Sequence, residues 1–401
     1  MARCTLHYII ILALIVSAST HAQNIQNVAP EKVGLDARHI QYADRAIEKA
    51  IADKEIPGAV LAVVRKGKIG YLKAYGNQQV YPTQKKMDIR AVFDLASVTK
   101  PVATAISAMI LIERGKLRLQ DRVSLFIPDF APWCDSTGLK KEITVGDLMT
   151  HTSGLPPYAS VKELEAEYGA PNPSGLIEYI STCHRDFMPK TAFQYSCLNY
   201  ITLQRIIETI SKESLRDFAK QNIYDVLGMR HTDFVPAGET FRLAVPTQRQ
   251  PDGSVLKGVV HDPLARVMNG GISGNAGLFS DAHDLCILVA ALLNDGEFNG
   301  KRILSSLGVK AIRTVPREVA DIGRTPGWDI FTPYASNVGN LLSPNTYGHT
   351  GYTGTSIVID PDNDLGIILL TNRAHPDDEG DTIRLRSMVA NAVAASLIES
   401  E

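Results

Sequence analysis

The strand-like segments of this chain lie at its two ends, with mostly helical sequence between them, and this order constrains the fold more than any other feature. Near the start, residues 59–64 form an apolar run and residues 69–75 have strand-like composition, with a basic turn between them. Near the other end, residues 356–360 and 365–370 are rich in β-branched residues and flank a second turn. Each pair predicts a β-hairpin. The simplest packing places both hairpins in one mixed layer and makes the middle of the chain a helical insertion.

Helices are predicted where apolar residues recur at helical spacing or where an apolar run stops at a glycine. They cover residues 37–54, 101–114, 199–211 and 382–398. We therefore predict an α/β (α+β) chain with an α/β subdomain over about residues 30–95 and 265–401, and an all-helical subdomain over about residues 96–264. Small-molecule sites commonly lie in clefts between subdomains, so we expect the functional site there.

The first residues have the pattern of a secretory signal peptide. Arg3 precedes an apolar run over residues 8–18, and small and polar residues then lead to Ala22. The run is shorter than the roughly 20 apolar residues that cross a bilayer. We expect cleavage after Ala22, which removes residues 1–22 and leaves residues 23–401 as a periplasmic or secreted domain without a stable membrane anchor. An uncleaved anchor is the alternative.

Composition narrows the classes of partner. The net charge is −2 and no long run of one sign occurs, which gives no electrostatic reason to expect a nucleic acid or an anionic membrane as partner. Cys134, Cys183, Cys197 and Cys286 are widely spaced and include no Cys-x-x-Cys pair, so we expect no zinc. The glycines of residues 270–280 lack a dinucleotide or phosphate pattern and no His-Glu-x-x-His occurs, so we expect no cofactor and no other metal. These four cysteines allow three pairings, but a chain of 401 residues does not need disulfides. We expect free, mostly buried thiols.

One Ser-x-x-Lys tetrad, Ser97 to Lys100, has the context of a nucleophile with its base. Residues three apart share a helix face, so the amine can approach the hydroxyl. Pro101 follows, and because proline is tolerated only in the first turn of a helix, Ser97 lies at a helix start, where free N–H groups favour an oxyanion. The alternative is a helix-capping serine beside a solvated lysine. A second tetrad, Ser254 to Lys257, follows a turn without a helical pattern and is interpreted as a chance match.

Ser97 and Lys100 belong to the first of five motifs that follow one another along the chain. The motifs cover residues 94–100, 143–156, 193–196, 270–280 and 348–355. In this order they resemble the serine β-lactamase and penicillin-binding-protein-like hydrolases, close to class C β-lactamases, DD-carboxypeptidases and esterases of that fold. The resemblance runs from about residue 56 to residue 370. It implies a β-lactamase/transpeptidase-like fold with an antiparallel sheet flanked by the terminal helices and an all-helical subdomain.

The resemblance also implies a role for each matching residue. Ser97 is expected to be the nucleophile, and Lys100 the base that takes its proton, with a pKa lowered by burial. Tyr195 matches the tyrosine that passes the proton to the leaving group. The backbone N–H groups of Ser97 and Tyr352 are expected to form the oxyanion hole. The third motif of the family, usually Lys-Thr-Gly, borders the substrate cleft and is matched here by His349, Thr350 and Gly351.

Two departures from the family pattern bear on the substrate. The second motif, usually Tyr-x-Asn, is here Tyr195-Ser196-Cys197, so the amide that would hold the substrate is absent. We assign Cys197 to the wall of the substrate site rather than to a second nucleophile. His349 replaces the lysine of the third motif, so a permanent cation gives way to a titratable group with a usual pKa of about 6.5. Both changes weaken the case for efficient penicillin hydrolysis.

We therefore expect an exported serine hydrolase that acts through a Ser97 acyl-enzyme on a small ester, amide or β-lactam-like substrate, as an esterase or a D-alanyl peptidase does. One alternative is an acyltransferase that passes the acyl group to a small alcohol acceptor, because both reactions share the acyl-enzyme. Another is a non-catalytic binder of peptidoglycan or penicillin. His151 is interpreted as a hydrogen-bonding loop residue, and the glycines of the fourth motif as a loop that passes close to the cleft.

Overall fold

A computed structural model describes residues 24–322, 324–330 and 338–398. The predicted signal peptide lies outside these ranges and stays a prediction. The α-helices are α1 (Ala37–Ala52), α2 (Ile106–Glu113), α3 (Val145–Met149), α4 (Val161–Tyr168), α5 (Pro173–Thr182), α6 (Cys197–Ser211), α7 (Leu215–Ala219), α8 (Asp225–Leu227), α9 (Gly238–Leu243), α10 (Ala282–Leu293), α11 (Ser306–Ile312) and α12 (Ile383–Ala394).

The strands of the main sheet lie at the two ends of the chain, as predicted, and short strands also occur between them. They are β1 (Gly58–Arg65), β2 (Lys68–Gln79), β3 (Lys85–Lys86), β4 (Phe93–Asp94), β5 (Trp133–Cys134), β6 (Lys140–Lys141), β7 (Pro246–Arg249), β8 (Val255–Lys257), β9 (Phe279–Ser280), β10 (Glu297–Phe298), β11 (Lys301–Arg302), β12 (Asp329–Ile330), β13 (Tyr347–Thr350), β14 (Ser356–Asp360) and β15 (Leu365–Thr371).

The main sheet has seven strands in the order β12-β13-β14-β15-β1-β2-β3. Every neighbouring pair is antiparallel. Both predicted hairpins are confirmed, as β1 with β2 and β14 with β15, and β1 also pairs with β15. The two ends of the chain therefore form one sheet, and the helical middle of the chain is inserted between its strands.

The central strand β1 is apolar throughout because both faces of the sheet are covered. Its odd-numbered residues, such as Leu61, pack in a core cluster with α1 and α12. Its even-numbered residues, such as Ala62, pack in the larger cluster that includes α10 and the helical region. Side chains of a strand alternate between the two faces, and each fully buried Val or Leu contributes about 1.5–3 kcal/mol. These two layers fix the position of the sheet whose strand β13 borders the cleft.

The helical stretch over residues 96–113 carries the first motif at its beginning. It starts with a 3-10 turn (Ala96–Val98), continues with a π-helical turn (Lys100–Ala105) and ends with α2. It is long and apolar enough to cross a membrane, but 83% of it is buried within the fold, so it is a core helix. The regular α-helix begins later than the predicted residue 101 because the first turns are irregular, which is common at functional sites.

The cysteines of the described residues are free thiols, as predicted. The expectation that they are mostly buried is wrong, since only Cys286 is buried. Cys134 is exposed because β5 pairs only with β6, in a separate two-stranded ribbon. Cys183 and Cys197 are half-buried.

Candidate active site

The backbone turn before Ser97 is strained and firmly held. Ala96 has a φ of 46°, in the left-handed region that residues with a Cβ rarely adopt. The buried Asp94 carboxylate accepts hydrogen bonds from the backbone N–H groups of Ala96 at 2.8 Å and His261 at 2.7 Å. Burial raises the pKa of Asp94 to about 6. The sequence did not indicate this support, which fixes Ser97 at the mouth of the helix, where it lines the main cleft.

Lys100 is fully buried, and its amine reaches the nucleophile position. Nζ donates a hydrogen bond to Ser97 Oγ at 3.0 Å and another to the backbone carbonyl of Asn275 at 2.9 Å. Nζ also lies 4.8 Å from the centroid of the Tyr195 ring. The structure thus brings Ser97, Lys100 and Tyr195 together, although Tyr195 comes from a distant part of the sequence.

The protonation state of Lys100 differs from the prediction. Burial lowers the pKa of Lys100, but the negative charges that Cys197 and Tyr195 carry when they are deprotonated raise it, and the net direction is upward from the usual 10.5. The expected lowering toward neutrality is therefore wrong, because the groups around the amine stabilise its charged form more than burial destabilises it. The raised pKa favours the ammonium form of Lys100, whose Nζ donates a hydrogen bond to Ser97 Oγ.

Tyr195 packs against a buried, neutral histidine. The ring centroids of His151 and Tyr195 are 4.5 Å apart. His151 Nδ1 accepts hydrogen bonds from the Ser196 backbone N–H and the Asn199 side-chain amide, each at 3.1 Å. The interpretation of His151 as a hydrogen-bonding loop residue is confirmed. Burial holds the pKa of His151 well below 6.5, so the ring supports Tyr195 without adding a charge.

The glycine-rich fourth motif passes directly beside Lys100. A Cβ added at Gly274 would collide with the backbone carbonyl of Tyr200, so only glycine fits there. Thr104 Oγ1 donates a hydrogen bond to the Gly274 carbonyl at 2.8 Å, and the next residue, Asn275, offers its carbonyl to Lys100. The predicted close approach of this loop is therefore confirmed at Gly274.

Cys197 lies beside the lysine and is not one of the described residues that line the main cleft. Its Sγ is 3.7 Å from Lys100 Nζ. Burial raises the pKa of the Cys197 thiol, so the thiol stays protonated at neutral pH. Since the thiolate is the reactive form, the position does not favour a second nucleophile.

This difference between the cysteines predicts the order of alkylation. We expect iodoacetamide to modify the exposed Cys134 first, with no loss of activity, because Cys134 is remote from the cleft. Cys197 should react slowly, and its modification should abolish activity because an added group would displace Lys100. Peptide mass spectrometry of timed samples, with a Cys134→Ser control, measures both. Early loss of activity in the control with Cys197 unmodified would contradict this expectation.

His349 places a neutral ring on β13 where the family usually has a lysine. Its Nδ1 lies 2.8 Å from the Thr350 carbonyl oxygen, which can only accept, so Nδ1 carries the proton and Nε2 is an acceptor. Burial, with Arg324 and Lys100 nearby, holds the pKa of His349 well below 6.5. The expected switch to a titratable cation is therefore wrong for the physiological range, because the buried ring stays neutral. His349 and Thr350 both line the cleft.

The turn after β13 lies against the nucleophile turn. A Cβ added at Gly351 would collide with the Leu95 carbonyl, so the close approach requires glycine. Thr355 Oγ1 donates to the same carbonyl at 2.9 Å. The Tyr352 side chain is 58% exposed, and its backbone N–H makes no hydrogen bond within the described part of the chain. Tyr352 and Ser97 line the same cleft, which places both predicted oxyanion donors at one surface.

The cleft has a volume of about 510 Å³ and contains functional groups that the sequence analysis missed. They are Arg324, Arg373 and Arg386. The sequence pattern could have identified Arg386, because this charged residue lies among apolar residues on the inner face of the predicted last helix. No sequence pattern could have identified Arg324, because it lies on the irregular connection between α11 and β12.

Curated relatives cover nearly the whole chain. A putative D-alanyl-D-alanine carboxypeptidase of Escherichia coli (strain K12) is 31% identical, in an alignment that covers 92% of this chain and 91% of that protein. An N-acetylmuramyl-L-alanine amidase of Bacillus subtilis (strain 168) is 32% identical, in an alignment that covers 92% of this chain and 90% of that protein.

Solved structures share the fold at lower identity. EstCE1, described as a hydrolase with promiscuous acyltransferase activity, has a TM-score of 0.70 at 22% identity and covers 89% of this chain and 99% of its own. The octameric penicillin-binding protein homologue from Pyrococcus abyssi has a TM-score of 0.67 at 22% identity and covers 89% of this chain and 77% of its own. The predicted β-lactamase/transpeptidase-like fold is therefore confirmed. The β-lactamase family model matches residues 43–390, so this chain belongs to the β-lactamase family and is an enzyme of its serine hydrolase type.

Proposed function

We propose that this protein is an exported serine hydrolase that cleaves an amide bond in the peptide stem of a peptidoglycan fragment through a Ser97 acyl-enzyme. The observation that carries the proposal is the buried Lys100 amine, hydrogen bonded to Ser97 Oγ at 3.0 Å and packed against Tyr195. The substrate class follows from two relatives, whose names describe amide bonds formed by alanine. Export follows from the apolar run over residues 8–18.

In the proposed reaction, Ser97 Oγ attacks the amide carbonyl carbon and its proton passes to the Lys100–Tyr195 pair. The backbone N–H groups of Ser97 and Tyr352 bind the oxyanion, and a donor of this kind contributes about 2.7–4 kcal/mol. The C–N bond then breaks, and the amine leaves with a proton from Tyr195. Water attacks the resulting ester, the acid is released, and Ser97 regains its proton.

The raised pKa of Lys100 predicts the pH dependence of acylation. The Lys100 amine must lose a proton before it can accept the proton of Ser97. Because the raised pKa of Lys100 makes the neutral amine scarce at neutral pH, kcat/KM for a neutral ester should rise from neutral into alkaline pH. A pH series corrected for spontaneous hydrolysis measures this rise. A plateau already reached at neutral pH would show that the base is free there.

The proposal is tested with intact protein and two reagents. A fluorophosphonate should add its mass to the peptide that contains Ser97. A purified muropeptide with a pentapeptide stem should be converted to a smaller product, identified by liquid chromatography and mass spectrometry. Loss of D-alanine would indicate a carboxypeptidase, and release of the whole stem from the sugar would indicate an amidase. The proposal is wrong if Ser97 is unlabelled and the muropeptide is unchanged, a result that would favour a non-catalytic binder.

An acyltransferase is the second candidate, and it is favoured by EstCE1, whose fold this chain shares and whose description includes acyl transfer. Hydrolysis and transfer differ only in whether water or an alcohol attacks the acyl-enzyme. The same ester assay separates them when a small alcohol is added. A new ester product that grows as the free acid falls, at constant total turnover, would identify a transferase.

A further inference from the structure

We infer that Asp262 is a positioning residue for Lys100, because its carboxylate holds two segments that contact the lysine and places a negative charge near the amine. The inference rests on the proposed function and adds a residue that acts on the reaction through its base. Asp262 is half-buried, lies outside the five sequence motifs and does not belong to the described residues that line the main cleft. The role that we assign to it therefore involves Lys100 and not the substrate.

One oxygen of the Asp262 carboxylate binds the loop that contacts Lys100. Oδ1 accepts a hydrogen bond from the Ala265 backbone N–H at 2.8 Å and a longer one from the Asn275 side-chain amide at 3.4 Å. The side-chain oxygen of the fully buried Asn275 accepts a hydrogen bond from Ser273 Oγ at 2.7 Å. The backbone carbonyl of the same Asn275 accepts the hydrogen bond of Lys100 Nζ at 2.9 Å. Asp262 thus helps to fix the carbonyl that holds the amine.

The other oxygen of the carboxylate binds a second segment that reaches Lys100. The Tyr158 hydroxyl donates a hydrogen bond to Asp262 Oδ2 at 3.1 Å. The residue before it, Pro157, accepts the Cys197 backbone N–H with its carbonyl at 2.8 Å. Cys197 Sγ in turn lies 3.7 Å from Lys100 Nζ. The carboxylate of Asp262 therefore joins the two segments that supply a carbonyl and a thiol to the amine.

The charge of Asp262 adds an effect that its hydrogen bonds do not provide. Burial lowers the pKa of Lys100, whereas Cys197, Tyr195 and Asp262 raise it, in that order of size. Cys197 and Tyr195 contribute only as anions, and thiols and phenols are ordinarily neutral at neutral pH. Burial also raises the pKa of the Cys197 thiol. A carboxylate is ordinarily charged at neutral pH, so Asp262 is the group of these three that stabilises the ammonium form of Lys100 there.

Other titratable or charged groups lie near Lys100 and Asp262. Those near Lys100 are His151, His349, Tyr200 and Arg324. Those near Asp262 are Asp94, His261, Arg266 and Tyr158. Burial lowers the pKa of each of the three histidines and raises the pKa of the two tyrosines and of Asp94, which reaches about 6. None of these groups should therefore change its charge between about pH 7.5 and 9.5, so a change of ionisation in that range reports on the amine and its direct contacts.

The test follows the ionisation of Lys100 directly, by NMR of protein labelled with carbon-13 lysine. The Lys100 resonance is assigned by its absence from Lys100→Ala. Asp262→Asn keeps the size of the side chain and removes its charge, so Lys100 should lose its proton about 0.5–1 pH unit lower than in wild type. The rise of kcat/KM for a neutral ester should level off at a correspondingly lower pH. Asp262→Ser, which can still accept the Ala265 N–H, should shift both readouts in the same direction. Asp262→Glu keeps the charge and should leave the NMR titration within about 0.3 pH unit of wild type.

Two controls separate the charge from the hydrogen bonds. Tyr158→Phe removes one bond to the carboxylate and leaves its charge, so it should lower kcat/KM without moving the titration of Lys100. Asp129→Asn, an exposed carboxylate outside the cleft, should match wild type in both readouts. An unchanged titration in whichever of Asp262→Asn and Asp262→Ser melts as a folded protein would overturn the inference, and so would an equal shift in Tyr158→Phe. The NMR titration does not depend on turnover, so a wild-type protein that forms no Ser97 adduct with a fluorophosphonate would refute the proposed function separately.

Discussion

Replacement of Ser97 by alanine is expected to lower kcat for every ester or muropeptide substrate by at least about 10⁴-fold and to abolish fluorophosphonate labelling. The reason is that the acyl-enzyme cannot form without the hydroxyl, whereas the fold should be preserved. The Ser97 side chain packs into no core cluster, and alanine suits the short helical turn that it occupies. Steady-state kinetics, intact-protein mass spectrometry and a thermal melt together test this expectation.

The second Ser-x-x-Lys of the chain supplies the control. Ser254 Oγ donates to Asp252 at 2.7 Å, and Lys257 Nζ donates to the Arg242 carbonyl at 3.3 Å. Hydroxyl and amine therefore have separate partners, and Ser254→Ala should keep kcat within about twofold of wild type. Equal activity in wild type and Ser97→Ala would refute the assignment of the nucleophile. A label found on Ser254 would transfer that assignment to the second tetrad.

The parts of the structure that the sequence predicted are those with a local pattern. The two hairpins and the terminal helices follow from hydrophobic periodicity, because burial against the core acts residue by residue along each element. The proximity of Ser97 and Lys100 follows from helical spacing, and the hydrogen bond of 3.0 Å agrees with it. The place of Tyr195 came from resemblance to a family, since no local rule connects it to Ser97.

The parts that could not be predicted depend on neighbours from distant segments. Lys100 was expected to have a lowered pKa, but Cys197 and Tyr195 raise it, and their distances to the amine are set by the tertiary fold. His349 was expected to titrate, but its burial beneath the cleft keeps it neutral. Arg324 lies on an irregular connection whose course no periodicity encodes. Electrostatic consequences of packing were therefore harder to predict than the elements themselves.

Arg386 on α12 is expected to act as a positioning residue for the oxyanion hole. Its Nη2 donates to the Gly351 carbonyl at 2.8 Å and to the Thr355 carbonyl at 3.1 Å. In a trans peptide the C=O and N–H bonds point in opposite directions, so a cation held at the Gly351 oxygen directs the Tyr352 N–H away from Arg386. The same contact polarises the peptide and strengthens that N–H as a donor.

Arg386→Met should therefore lower kcat for a neutral ester by about 10²-fold, with little change in KM, because the lost interaction matters mainly in the transition state. Burial lowers the pKa of Arg386 to about 10, so the wild-type group is charged at neutral pH and its effect should not titrate there. The assay uses a neutral substrate so that a direct charge contact between Arg386 and the ligand cannot contribute to the difference in kcat. Arg386→Lys should recover part of kcat, since an ammonium group can still donate to the Gly351 carbonyl.

The matched control is Arg384→Met, an exposed position on the same helix, which should leave both constants within about twofold of wild type. Comparing the changes in kcat and KM distinguishes a residue that positions the oxyanion hole from one that binds the substrate. A raised KM at constant kcat would mean that Arg386 contacts the substrate itself. The two variants Arg386→Lys and Arg386→Met could also lose the same fraction of kcat, with melting temperatures unchanged. A point charge at the Gly351 oxygen would then be insufficient to orient the Tyr352 N–H, and the two carbonyl contacts would need the planar guanidinium.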